Sequence, residues 1–227
     1  MQFVPLAMSK MGEHGTCVAG VDLEMGQWIR PVVSGHSCLF EKQTAEFEAN
    51  YVHELSLGSE LAVSPRSSSY HSEDRIFHGV ISADTKLSAE AKIRLLDDMA
   101  DANLELSLLA GNRSIFLVKP QDFTYRQDSY GKARIDLSGF PSSQQILVAL
   151  TEHGIGCSGT GIRCTCPRWN SLTQQLWPGR GVTLSMIREY AAGADVYLAM
   201  SLGRLYHDKY WVMAAGVHIV GEDKIWL

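Results

Sequence analysis

The chain has 227 residues, 45% of them apolar and 20% charged, so it can bury a sizeable core, and its composition argues against global disorder. Its formal net charge of −5 argues against binding phosphate backbones by bulk charge and leaves any such binding to a local basic patch. No apolar stretch approaches the roughly 18 residues of a membrane span, the N-terminus lacks a basic leader, and five cysteines make an odd number for a disulfide framework. A cytoplasmic chain with reduced thiols and no membrane partner is expected.

In chain order, period-2 patterning predicts strands at 2–8, 16–23, 27–33, 60–65 and 75–81. Met25-Gly26 supplies the turn of a hairpin whose return strand places Trp28, Arg30 and Val32 on one face, with Pro31 where ladder pairing ends. Residues 34–58 show little periodicity and read as a long connection with one helical turn, and 64–74 reads as an exposed Ser-rich loop. Ser88 is a candidate N-cap and Gly111 a candidate stop for a helical block that breaks near 101–103. Strands resume at 114–120, 132–138 and 161–166, with 144–152 ambiguous between helix and strand. Residues 171–183 read as turns and 183–192 as a short helix, and the apolar runs 195–203 and 210–221 read as a buried hairpin. The pattern predicts a mainly β protein with a few helices. It is divided into an N-terminal barrel over 1–84, a helical connector over 85–111 and a C-terminal barrel over 112–227.

Three constellations carry candidate chemistry. His153, Cys157, Cys164 and Cys166 are soft ligands in a Gly-rich stretch, but the paired C-x2-C knuckles usual for zinc are absent, and small core thiols are the plainer reading. A Cys/His nucleophile, such as His36 with Cys38 or Cys166 with a distant histidine, lacks an oxyanion motif and a third member. The loops SGTG at 158–161 and PGRG at 178–181 match no phosphate-binding pattern, so no cofactor is expected. The third is aromatic and basic: Trp28 with Arg30, Arg168 with Trp169, Arg204 with Tyr206, and Lys209 with Trp211. Aromatic faces that stack on bases, with guanidinium groups for phosphates, are what single-strand binders on small barrels need. The competing reading makes the tryptophans core residues. If Trp28 and Arg30 are buried, Arg30 needs an acidic or carbonyl partner inside; if both are exposed, their face is a binding surface.

The run LAMSKMGEHGTCVAGVDLEMGQWIRPV resembles the N-terminal signature of a bacterial and archaeal family of dual OB domain-containing proteins. The likeness covers Leu6, Ala7, Ser9, Lys10, residues 17–20, Gly26 and residues 28–32, with looser likenesses at 165–169, 201–203 and 213–215. Met8 stands where a polar residue is common and Cys166 where an aspartate is usual, and the helical block is longer than typical. The resemblance implies two OB-like barrels and non-catalytic binding of single-stranded or structured nucleic acid. Trp28, Arg30, Arg168, Trp169 and Arg204 are the expected contacts. Two alternatives stay open: a module that docks a protein partner, in a mobile-element or defence system, and a Cys/His enzyme or zinc protein.

Overall fold

The computed structural model describes residues 1–10, 15–36, 38–61, 71–222 and 224–227, without the side chains at 59–61, 84 and 204. Five strands come first: β1 (Gln2–Lys10), β2 (Thr16–Asp22), β3 (Gln27–Val32), β4 (Tyr51–Leu61) and β5 (Asp74–Lys86), with the single-turn helix α1 (Glu41–Thr44) between β3 and β4. They close into a barrel in the order β1-β2-β3-β5-β4, with β3 and β5 parallel, which is an OB-like arrangement. Alternation along the strands sends Phe3, Val18, Ile29, Leu55 and Phe77 into the lumen and turns Val4, Leu6, Val21 and Trp28 outward. Gly20 is required for closure, because a Cβ there would collide with the carbonyl of Val4 on β1.

β4 occupies part of the stretch that the sequence presents as a connection. His53 takes an inward place there, against Phe47 and bonded to the Glu48 carbonyl at 2.8 Å, so a polar residue interrupts the apolar alternation. Of the strand expected at 60–65, residues 62–65 lie outside the described residues, as do residues 64–70 of the expected Ser-rich loop.

The helical block forms α2 (Ala89–Met99) and α3 (Leu104–Ala110). Ser88 accepts from the Ala91 amide at 3.1 Å, and Gly111 ends α3 at a φ of 65°. The break falls where Asp101 turns its carboxylate to Ser107, Arg113 and the Leu117 amide instead of continuing the helix.

The rest of the chain supplies β6 (Ile115–Val118), β7 (Phe123–Gln127), β8 (Ala133–Leu137), α4 (Gln144–Glu152), β9 (Ile155–Gly156) and β10 (Ile162–Cys164). α5 (Pro167–Leu176), β11 (Val182–Thr183), α6 (Leu184–Tyr190), β12 (Asp195–Tyr206) and β13 (Lys209–Val220) follow. The strands form one sheet in the order β11-β7-β8-β10-β13-β12-β6, with β9 alongside β13; unlike the first ring, this path does not close. Its faces are covered by other layers rather than by the sheet itself. Helices α3 to α6 bury one face around Leu108, Leu150, Trp169 and Ile187. Part of the other face, with Ile115, Leu117, Tyr197, Ala199 and Ala215, packs on the outer wall of the barrel. Each aliphatic side chain fully buried there contributes about 1.5–3 kcal/mol. Gly216 lets β13 approach β1 so closely that a Cβ would strike the Leu6 carbonyl, and the His218 Nε2–H donates to that same carbonyl at 2.7 Å.

Candidate nucleic-acid interface

Trp28 and Arg30 are both buried, at 7% and 1% exposure. Trp28 fills the seam between barrel and sheet. Arg30 Nε donates to Asp74 Oδ1 at 2.5 Å and its Nη2 to Glu73 Oε1 at 3.1 Å, while Glu73 also receives the Ser114 hydroxyl. Burial by itself would lower the Arg30 pKa, and the charges of Glu73 and Asp74 more than offset it, holding the guanidinium firmly protonated. These two residues belong to the structural branch set out from the sequence, and neither offers a face to a ligand. Trp169, on the inward face of α5, is fully buried and edge-on to Tyr125 at 5.6 Å, so it too is core. Arg168, beside it, is half-buried, and burial lowers its pKa. Arg204 stands on β12 next to Gly203; its side chain lies outside the described residues.

The thiol and imidazole groups are not brought together. Among the described residues no three His, Cys, Asp or Glu side chains form a group that could hold a metal. Cys164 and Cys166 are core residues whose thiols are pushed up by burial, and Cys157 is pushed up to about 11 by burial and then by Glu105. Such thiols carry little thiolate near neutral pH and make poor nucleophiles or ligands. His153 is exposed and its Nδ1–H donates to the Ala149 carbonyl at 2.9 Å. His36 is exposed against Phe40 while Cys38 is buried.

The sheet assembles a different constellation. Reading across its strands, Arg126 on β7 pairs with Arg134 on β8, Arg134 with Arg163 on β10, and Arg163 with Met213 on β13. The row continues through Ser201 to Ile115. Directly paired residues share a face, so a single row passes from Ile115, sealed against the barrel, to three arginines that the barrel leaves uncovered. The strand interiors explain this: Tyr125, Ile135, Ile162 and Cys164 point into the helical core, which sends the intervening arginines outward.

Like charges directly opposite each other on a sheet are destabilising, by a few tenths of a kcal/mol to about 1 kcal/mol per pair. Two carboxylates reduce that cost. Asp136 Oδ2 accepts from Arg126 Nε at 2.7 Å, and Asp128 Oδ2 accepts from Arg134 Nε at 3.0 Å. The Lys132 amide and then the Arg134 charge hold the Asp128 carboxyl below its usual range. Arg163 is exposed and has no ion-pair or hydrogen-bond partner among the described residues.

A cavity of about 580 Å³ opens over the Arg134 and Arg163 part of this row, and a second of about 400 Å³, sharing Lys10, Arg163 and Thr165 with it, runs past the end of β10 to Tyr125, Cys164 and Gln174 on the helix-covered side. Lys10 enters from the end of β1, where the barrel wall stops, and Lys132 enters from the β7–β8 turn. Tyr206 and Trp211 line the larger cavity, and no carboxylate lines either among the described residues. Five cations, Lys10, Arg126, Lys132, Arg134 and Arg163, thus gather around two carboxylates on a chain whose overall charge is negative. Trp211 is held in place: its indole N–H donates to the Tyr206 carbonyl at 3.0 Å, and Gly156 packs over its ring-fusion atoms so closely that a Cβ would lie 2.8 Å away.

Tyr206 and Trp211 were legible as members of the aromatic and basic set. Lys10, Arg126, Lys132, Arg134 and Arg163 were missed as site residues. The one signal available for the arginines was their alternation with apolar neighbours in FTYRQ, ARIDL and GIRCT. Nothing local says that the three strands are neighbours.

A family model for the dual OB-containing domain matches residues 1–155. That span holds the barrel, α2 to α4, Lys10 and the first two arginines of the row; Arg163, Tyr206 and Trp211 lie beyond it. No curated protein and no solved structure matches the chain.

Proposed function

We propose that this chain, which belongs to the dual OB-containing domain family, is a non-catalytic nucleic-acid-binding protein whose contact surface is the uncovered part of the second sheet rather than the wall of the closed barrel. The observation that carries this reading is the in-register row Arg126, Arg134 and Arg163, flanked by Lys10 and Lys132. Such a row costs stability while empty and is repaid when phosphates lie across it, because each neutralised phosphate releases condensed counterions. Arg163 has no carboxylate to give up and is the principal phosphate contact. Arg126 and Arg134, braced by aspartates, shape the field around it. Arg204 stays in the proposed set because of its backbone position beside the cavity-lining Gly203.

The test is fluorescence anisotropy of labelled DNA and RNA oligonucleotides against the full chain at low salt. Binding that weakens as salt rises, and that is lost in Arg163→Glu while Arg30 and its partners are untouched, supports the reading. No binding to any nucleic acid overturns it. In that case the exposed Leu205 and Tyr206, at the tip of the β12–β13 hairpin, would become the place to seek a protein partner.

A further inference from the structure

The cavity of about 580 Å³ opens on the uncovered face of the second sheet. Arg134, Arg163 and Met213 on that face are joined by direct pairing, and Thr165 and Trp211 follow at two-residue spacing from Arg163 and Met213. Its size falls within the range of about 300–1,000 Å³ usual for small-ligand pockets. Trp211 is paired with Gly156 on β9, and a Cβ at Gly156 would lie 2.8, 2.9 and 3.1 Å from its ring atoms Cδ2, Cε3 and Cε2. Such even distances around the ring fusion mean that the indole lies face-down on the glycine, with its other face toward the cavity that it lines. On the floor, a Cβ at Gly203 would meet the tip of Met213 at 3.1 Å, so a larger side chain at 203 would take up the space.

The cations of the cavity are not equally answered. Arg134 is paired with Asp128, whereas Lys10 and Arg163 have no ion pair among the described residues. Two uncompensated cations in one place suit a group with about two negative charges close together, as a terminal phosphate has. A diester link within a strand carries one charge.

We infer that this cavity takes a free nucleoside polyphosphate, with its base on the open face of Trp211 and its terminal phosphates on Lys10 and Arg163. A nucleoside alone gains only the stack and a phosphate chain alone gains only the cations, so a molecule that joins the two is selected over either part. Arg163 is also the principal phosphate contact proposed for nucleic acid, so the free nucleotide competes with nucleic acid for it. That competition rests on the nucleic-acid reading above, and the binding of the nucleotide does not.

The experiment titrates the full chain with ATP, GTP, CTP and UTP, with the matching nucleosides and with inorganic triphosphate, at low salt, reading tryptophan fluorescence and heat. At least one nucleotide is expected to quench tryptophan emission saturably and to bind about tenfold or more tighter than its nucleoside or inorganic triphosphate. Trp211→Leu is expected to abolish the quench and to weaken the nucleotide about fivefold or more, the low end for one base–aromatic stack, with inorganic triphosphate unchanged. Arg163→Ala is expected to weaken both. Gly203→Leu, which fills the floor and removes no cation, is expected to exclude the nucleotide alone, and it reads the cavity independently of Trp211→Leu should either variant fail to fold. In a second arm, the nucleotide is expected to displace a fluorescein-labelled oligonucleotide from the wild type. Nucleotide binding that is no tighter than that of inorganic triphosphate and ignores Trp211→Leu overturns the inference. So does the absence of binding by all four nucleotides, and oligonucleotide anisotropy then decides the nucleic-acid reading by itself. A nucleotide that binds without displacing a bound oligonucleotide overturns the competition.

Discussion

The β2–β3 hairpin and the β10–β13 part of the sheet carry the same residue types and use them in opposite ways. In the first, Trp28 and Arg30 lie under the second sheet, and Arg30 is answered by Glu73 and Asp74 on the neighbouring chain segment. In the second, Trp211 and Arg163 stand where the barrel wall ends, and no carboxylate reaches Arg163 among the described residues. Tryptophan with arginine therefore says little alone. Whether an acidic partner is supplied, and whether a second layer covers the face, decides between mortar and interface.

The contrast breaks most visibly at the buried pair. Asp74→Ala strands the Arg30 charge and is expected to destabilise the fold by about 3–5 kcal/mol, as read by urea denaturation. Arg163→Ala, in the same assay, is expected to stay within about 0.5 kcal/mol of wild type. Equal losses would erase the distinction.

A third cation sharpens it. Lys92 on α2 is buried and donates to Asn50 Oδ1 and, at 3.4 Å, to the Leu227 main-chain oxygen, and burial and then the Arg168 charge lower its pKa to about 7. Between pH 7 and the ordinary lysine value of 10.5, the unfolded chain holds a proton that the folded chain has released, so this group makes stability rise with pH across that window. Below pH 7 the fold bears the full penalty of the buried charge. The difference in urea midpoint between wild type and Lys92→Met should therefore shift in favour of wild type from pH 7 to 10. A flat difference would mean that Lys92 keeps its proton. His218, held neutral by burial and then by the Lys92 charge, acts in the same sense at lower pH.

The smallest expected effect is at the hairpin that carries Trp211. His207 and Asp208 form its turn with φ of 50° and 58°, a left-handed pair that suits Gly or Asn. Asp208→Gly should add about 0.5–1 kcal/mol by relieving that strain and leave oligonucleotide affinity unchanged, checked by thermal denaturation and anisotropy.

Much of the fold was legible because its signals are local. The first hairpin, the Ser88 cap, the break before Asn103 and the β12–β13 pair all follow from alternation, caps and turn residues within short windows. β4 was hidden by the inward His53, and α5 because only Trp169 and Thr173, four apart, are buried along PRWNSLTQQL, with Leu172 half-buried between them. The 144–152 run is helical, and its N-terminus is capped by Ser143, which accepts from the Ile146 amide. The proposed interface was the least legible part. It depends on which strands are neighbours and in what register, and β10 pairs in parallel with β13 only after α5, β11, α6 and β12 have intervened, information that no window around Arg163 contains. Arg30 looked like a contact for the complementary reason: its acidic partners are more than forty residues away.

The most direct test is the salt dependence of single-strand binding in wild type and Arg163→Ala. The log–log slope should become shallower by about 0.7, the loss of one phosphate contact, with affinity falling at low salt and the urea midpoint unchanged. An unchanged slope and affinity would contradict the assignment of the sheet as the interface, and so would a loss of binding that tracked a loss of stability.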